Sequence, residues 1–220
     1  MSDFLLVPET VPVADIGDAP SARKRPKPGE RRTQILQALA AMLEQPGAER
    51  ITTAALAARL LVSEAALYRH FASKAQMFEG LIEFIEQTVF ALLQQITGRD
   101  LPDGLQPPDV GTRQAARIVA VLLQFGERNP GMVRVMVGDA LVYEHERLQQ
   151  RMNQFFERIE STLRQCLRRS SAASSTPTVD AQVAASVLTA FAIGRLQRYA
   201  RSGFKRQPTE HLEASLALML

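Results

Sequence analysis

The sequence predicts an all-α protein of nine helices. Three observations carry that prediction. Apolar residues recur at i, i+3, i+4 and i+7 through most of the chain from Glu30 onward. Proline, glycine and hydroxyl residues cut the pattern into segments of helical length. No stretch shows the alternation of a half-buried strand.

Residues 1–22 hold four acids, Asp3, Glu9, Asp15 and Asp18, several prolines and little periodicity, and read as a disordered tail. The charge then reverses. Arg23, Lys24, Arg25 and Lys27, followed by Arg31 and Arg32, make a basic arm that Pro26 and Pro28 keep extended. Helix 1 places Ile35, Leu36, Leu39, Met42 and Leu43 on one face and stops at Pro46-Gly47. Ile51-Thr52-Thr53 supplies hydroxyl caps for a short helix 2 that buries Leu56 and Leu60. Leu61-Val62 form a tight connection, Ser63 caps helix 3 through Phe71, and Ser73 caps a long helix 4. On helix 4 the stripe is Phe78, Leu81, Ile82, Ile85, Val89, Leu92 and Ile96. Residues 98–110, with three prolines and two glycines, form a loop. Helix 5 covers about 112–128 and ends at the breaker Asn129-Pro130-Gly131; a short helix 6 runs from Met132 to Val137. Helix 7 spans about 140–169, with Leu148, Met152, Phe155, Phe156, Ile159, Leu163 and Leu167 on one stripe. After a flexible link at 170–178, helix 8 covers 179–201 and helix 9 follows Pro208.

At 220 residues and 46% hydrophobic, the chain can bury one large core or two modest ones. Its 26 Lys+Arg against 23 Asp+Glu give a net charge of only +3, so polyanion binding has to come from local clusters. A single cysteine, Cys166, excludes an internal disulfide framework and fits a reducing cytoplasm. His70, His145 and His211 lack metal-ligand spacing. No nucleophile–base pair, phosphate loop or cofactor motif is visible, so neither an enzyme nor a cofactor is expected. The opening MSDFLLVPE lacks a basic lead-in, and no stretch approaches the ~20 apolar residues of a membrane span, so no membrane anchor is expected.

Helices 1 to 3, the last two joined by a tight turn, fit a helix-turn-helix whose last helix enters the major groove. On periodicity alone, a plain small bundle explains the pattern equally well. The residues decide. Ile51-Thr52-Thr53, Leu56-Ala57, Val62-Ser63, Ala66-Leu67-Tyr68-Arg69-His70-Phe71 and Ser73-Lys74 resemble the TetR family of transcriptional regulators across residues 30–84. The resemblance implies a TetR-like fold. It has a tail and arm at 1–28, a DNA-binding domain at 29–75, and a larger helical dimerisation and partner-binding domain at 76–220. It implies that Thr52, Thr53, Ser63, Ala65, Tyr68, Arg69, His70 and Lys74 meet double-stranded DNA at palindromic sites. Leu56, Ala57, Leu67 and Phe71 pack the core beneath them. Outside the motif, Thr52 would be a cap like any other and His70 an ordinary histidine. One departure stands out: Leu61 occupies the turn position where the family usually has Gly. A positive φ there would cost about 1–2 kcal/mol; an altered turn would avoid it.

Further stretches narrow the likeness to TetR proteins that act in nucleoid occlusion. They are Arg50-Ile51-Thr52-Thr53, Leu81-Ile82-Glu83-Phe84-Ile85-Glu86, Phe125-Gly126-Glu127-Arg128-Asn129-Pro130-Gly131, Phe155-Phe156-Glu157-Arg158-Ile159-Glu160 and Arg201-Ser202-Gly203-Phe204-Lys205. That likeness implies a nucleoid-associated homodimer that blocks assembly of the tubulin-like division GTPase FtsZ over the chromosome. Phe84 lies about 100° off the apolar stripe of helix 4, with Met77 and Ala91 on its side. With Val121, Arg128 and Asn129 it makes a candidate docking groove; a helix 4 buried on two sides explains it equally well on physics alone. Thr88-Val89-Phe90-Ala91-Leu92 lacks the basic residue such proteins can carry beyond this aromatic. Helices 8 and 9, through Val187, Phe191, Leu212 and Leu216, are the expected two-fold interface. The rival function is a ligand-responsive repressor with a small-molecule pocket in its C-terminal domain. The motif and the basic arm argue against a dimeric scaffold without a DNA role.

Overall fold

The computed structural model describes residues 29–45, 51–98, 109–170 and 177–220. Within them the elements are α1 (Glu30–Leu43), α2 (Thr53–Arg59), α3 (Glu64–Tyr68), α4 (Lys74–Thr97), α5 (Val110–Arg128) and α6 (Pro130–Met136). A 3-10 turn at Asp139–Leu141 follows, then α7 (Glu146–Ser170), α8 (Pro177–Arg201) and α9 (Leu212–Met219). No strand occurs among the described residues. The tail and arm at 1–28, the stop at Pro46-Gly47 with Arg50, the proline-rich 99–108 and the link at 171–176 lie outside them.

The helices share one continuous apolar core. α4 is its axis, packed on α1 at one end and on α5, α6 and α7 along its length. Contact on more than one side explains its burial pattern. Met77 is fully buried, which removes it from the face of Phe84 where sequence phase placed it, and Leu93 takes the inward position expected of Leu92. α7 buries all seven residues of its expected stripe and packs against α5 and α8. Phe155 meets Phe90 and Phe156 edge-on, with centroids 5.4 and 5.1 Å apart. α7 starts at Glu146 and not near 140, because Gly138 turns left-handed (φ 86°) and the 3-10 turn intervenes.

Asn129-Pro130-Gly131 ends α5 at Arg128 as expected and also opens α6, at Pro130 and not at Met132. Pro130 takes the first helical position, where its missing N–H costs nothing. A Cβ on Gly131 would collide with the backbone carbonyl of Ala40, so α6 and α1 touch backbone to backbone. That contact and α4 join the first three helices to the rest.

α8 buries Ala181, Ala185, Leu188, Ala192 and Leu196 against its own subunit, while Val179, Val183 and Val187 point outward. By length and composition alone it is apolar enough to cross a membrane, which corrects the expectation that no stretch approaches that limit. The reason is the second apolar face added to a core-facing one. The expected interface is corrected as well: Leu212 and Leu216 are buried within the subunit, leaving Val187 and Phe191 accessible.

Candidate nucleic-acid interface and partner face

Three hydroxyls start the three helices around the turn. Thr52 Oγ1 accepts from Ala55 N at 3.1 Å, Ser63 Oγ from Ala66 N at 3.3 Å, and Ser73 Oγ from Gln76 N at 3.2 Å. Each satisfies one orphan N–H of its helix. Thr52 and Ser63 are exposed, so their helix N-termini lie open to an anion. The Thr53 hydroxyl is engaged by Glu64 Oε2 at 2.6 Å, which ties the start of α2 to the start of α3.

The turn holds the predicted departure. Leu61 has φ 54°, Leu61 N donates to Ala58 O and Val62 N to Ala57 O. This is a Schellman closure with leucine where glycine normally sits, so the strained alternative is the one adopted. α3 is one and a half turns long. Its outer face presents Ala65, Tyr68 and Arg69, and its inner face buries Leu67. Phe71, just beyond it, is also buried. The helix ends at Tyr68, short of the expected Phe71, because Phe71 N and His70 N both return to Leu67 O. His70 is half-buried.

Arg32 departs from its sequence reading, and Lys74 is engaged within the subunit. Arg32, read as part of the arm, donates to the His70 carbonyl and stacks on Phe71 with its guanidinium 4.1 Å from the ring centroid. Its position three residues before Ile35 was the signal for this inward lean. Lys74, the first residue of α4, pairs through Nζ with Glu144 on the turn before α7. α7 grips α4 further along. Arg147 pairs with Glu79 at 2.7 Å, and Arg151 embraces Glu86 through two bonds of 3.0 and 2.5 Å. The Glu86 hydrogen bond pushes the Arg151 pKa further up.

On the other side of α4, Phe84 is 45% exposed and Ala91 is exposed. α5 lies antiparallel to α4, with Gln114 Nε2 donating to Ile96 O at 3.4 Å near one end. At the end of α5, Arg128 is exposed, and Asn129 closes the helix by donating from Nδ2 to Phe125 O at 2.8 Å. Val121 is buried in the core, which corrects its expected place as an open lining residue of the groove. Sequence reasoning missed the support behind Arg128. The Tyr199 hydroxyl donates to Glu127 O at 3.3 Å, and Thr209 Oγ1 donates to the Glu127 carboxylate. Burial, then the charges of Glu127 and Glu44, push the Tyr199 phenol up.

A short helix-turn-helix braced by a long α4 on a larger helical body defines a regulator of the TetR class. Residues 35–81 match the family "Bacterial regulatory proteins, tetR family", and residues 112–220 match the SlmA-like "Tetracyclin repressor-like, C-terminal domain". Among solved structures, the TetR regulator PfmR of Thermus thermophilus superposes with TM-score 0.65 at 20% identity, covering 86% of this chain and 95% of its own. FadR of Bacillus halodurans does so with TM-score 0.68 at 12%, covering 90% and 97%. These two share the fold. The nucleoid occlusion factor SlmA of Idiomarina loihiensis is 49% identical over 190 residues, 86% of this chain and 93% of that protein. SlmA of Vibrio vulnificus is 49% identical over 195 residues, 88% and 95%. The chain belongs to the TetR family and, within it, to the SlmA nucleoid occlusion factors, a family of regulators and not of enzymes.

Proposed function

We propose that the protein is a nucleoid occlusion factor. It is a cytoplasmic, nucleoid-associated homodimer that binds palindromic DNA and, while bound, inhibits assembly of the division GTPase FtsZ. The observation that carries this reading is the 49% identity running through the C-terminal domain, the part of TetR regulators that usually diverges. Residues 29–75 form the DNA-binding domain and 76–220 the dimerisation and partner domain. Ala65, Tyr68 and Arg69 face the groove, with His70 at its edge. Thr52 and Ser63, at open helix N-termini, meet phosphates, and Thr53 holds the first helix of the pair in place. Phe84, Arg128 and Asn129 hold an extended apolar segment of FtsZ with an acid for Arg128. The outer face of α8, through Val183, Val187 and Phe191, forms the two-fold interface.

The test is a pair of titrations on the full chain. One uses duplexes recovered by the wild type from fragmented genomic DNA; the other uses the C-terminal peptide of FtsZ. Thr52→Ala with Tyr68→Ala lowers DNA affinity at least tenfold and leaves peptide binding intact; Phe84→Ala with Arg128→Asp does the reverse. Mapping along the chromosome finds many dispersed palindromes. A handful of promoters, no affinity for the peptide even on DNA, and release by a metabolite would establish a ligand-responsive repressor in its place.

A further inference from the structure

We propose that Glu144 is a positioning residue for DNA binding, holding Lys74 as a reserve cation that a DNA phosphate takes over when the recognition unit docks. The inference rests on the DNA-binding reading above and adds an internal competitor to it.

The geometry separates this pair from its neighbours. Along the α4–α7 seam the acids sit on α4 and the bases on α7, in Glu79–Arg147 and Glu86–Arg151. Only at the end beside the recognition helix is the polarity reversed, with the cation on α4 and the acid on the α7 side. The two regular pairs already fix the register of the helices, so the third is not needed to hold the seam. The backbone of Lys74 is set independently. Ser73 Oγ caps α4, and Gln76 Oε1 accepts from Ala72 N at 2.9 Å, a reciprocal closure that leaves only the lysine side chain free to choose a partner. That side chain is 27% exposed, whereas Glu144 is 10% exposed. Glu144 is itself held on a tight turn, its N–H donating to Leu141 O at 3.0 Å. The acid is the more enclosed partner and the cation the more exposed one, so the cation is the one that can leave. A phosphate approaching α3 and the α4 N-terminus therefore has to take Lys74 from Glu144, and Glu144 acts as an electrostatic brake on every DNA encounter.

The experiment is anisotropy titration of the full-length protein against its genome-selected duplex over a range of salt concentrations. Melting temperatures confirm folding. Glu144→Gln tightens binding at least threefold and steepens the salt slope by about one per subunit, because a freed lysine releases a further counterion. In the Lys74→Ala background the same change has no effect. The charge swap Lys74→Glu with Glu144→Lys restores the internal pair and the melting temperature, yet binds DNA more than tenfold more weakly than wild type. Unchanged or weaker binding by Glu144→Gln overturns the proposal. So does a gain that survives Lys74→Ala, and so does a charge swap that binds like wild type, since each makes the pair a simple structural tie. A wild-type protein that binds no duplex would overturn the DNA-binding reading together with it.

Discussion

Leu61 concentrates what a single residue can decide. Its αL conformation closes α2 through the Ala57 and Ala58 carbonyls, and its side chain is 72% exposed, so little burial offsets the cost of placing a Cβ there. Leu61→Gly removes that strain but frees the unfolded chain, so the net gain is about 0.5–1 kcal/mol. The expected outcome is a melting temperature raised by a few degrees, with DNA affinity unchanged. A lower melting temperature would mean that the leucine makes a contact worth more than its strain. The sequence identified this position and both of its solutions, but the choice between them is made by the closing hydrogen bonds of α2, which no side-chain pattern encodes. Arg32 shows the opposite limit. Its charge pointed to the basic arm, while its helical phase, one turn before Ile35, puts it on the core side of α1, where it stacks on Phe71.

At the scale of elements, helix starts marked by hydroxyls were legible in advance. Thr52, Ser63 and Ser73 all cap as their types suggest, because a cap is a local hydrogen bond. Starts set by tertiary contact were not. α7 begins several residues late because of the left-handed Gly138, and α6 opens at Pro130, two residues before the expected Met132. The candidate partner face divides in the same way: Phe84 was legible from its phase, whereas the burial of Met77 and Val121 depends on how many neighbours α4 and α5 have. Gly131 tests the element scale directly. Because its Cα lies against the Ala40 carbonyl, Gly131→Ala has to push α6 away from α1 and cannot simply rotate a side chain aside. The expected loss is about 1–3 kcal/mol in urea unfolding. DNA affinity drops with it, since α1 carries the recognition unit. A stability equal to wild type would show that the two backbones separate freely.

At the scale of the whole molecule, the proposed function requires two copies presenting two recognition helices at half-sites about one helical turn apart. The surface proposed to set this spacing is the outer face of α8. Val179, Val183, Val187 and Phe191 follow one another at four-residue steps, and the three valines are 60%, 58% and 47% exposed. A stripe of that kind is the face expected to meet a second copy of itself across a two-fold axis in the proposed dimer. A charge placed there costs little in the free subunit, because the position is open, but leaves an unpaired ion inside the dimer. Val183→Glu with Val187→Glu therefore gives a folded monomer by light scattering, with a helical spectrum like wild type. Its affinity for a palindromic duplex falls at least a hundredfold, because each half-site is then bound without the effective concentration supplied by its twin. Leu216→Glu provides the contrast: that leucine is buried within the subunit, so the same charge lowers the melting temperature before it affects assembly. A monomeric Val183→Glu, Val187→Glu protein that held its palindrome as tightly as wild type would place the dimer contact elsewhere. A variant that stayed dimeric would remove this face of α8 from the interface altogether.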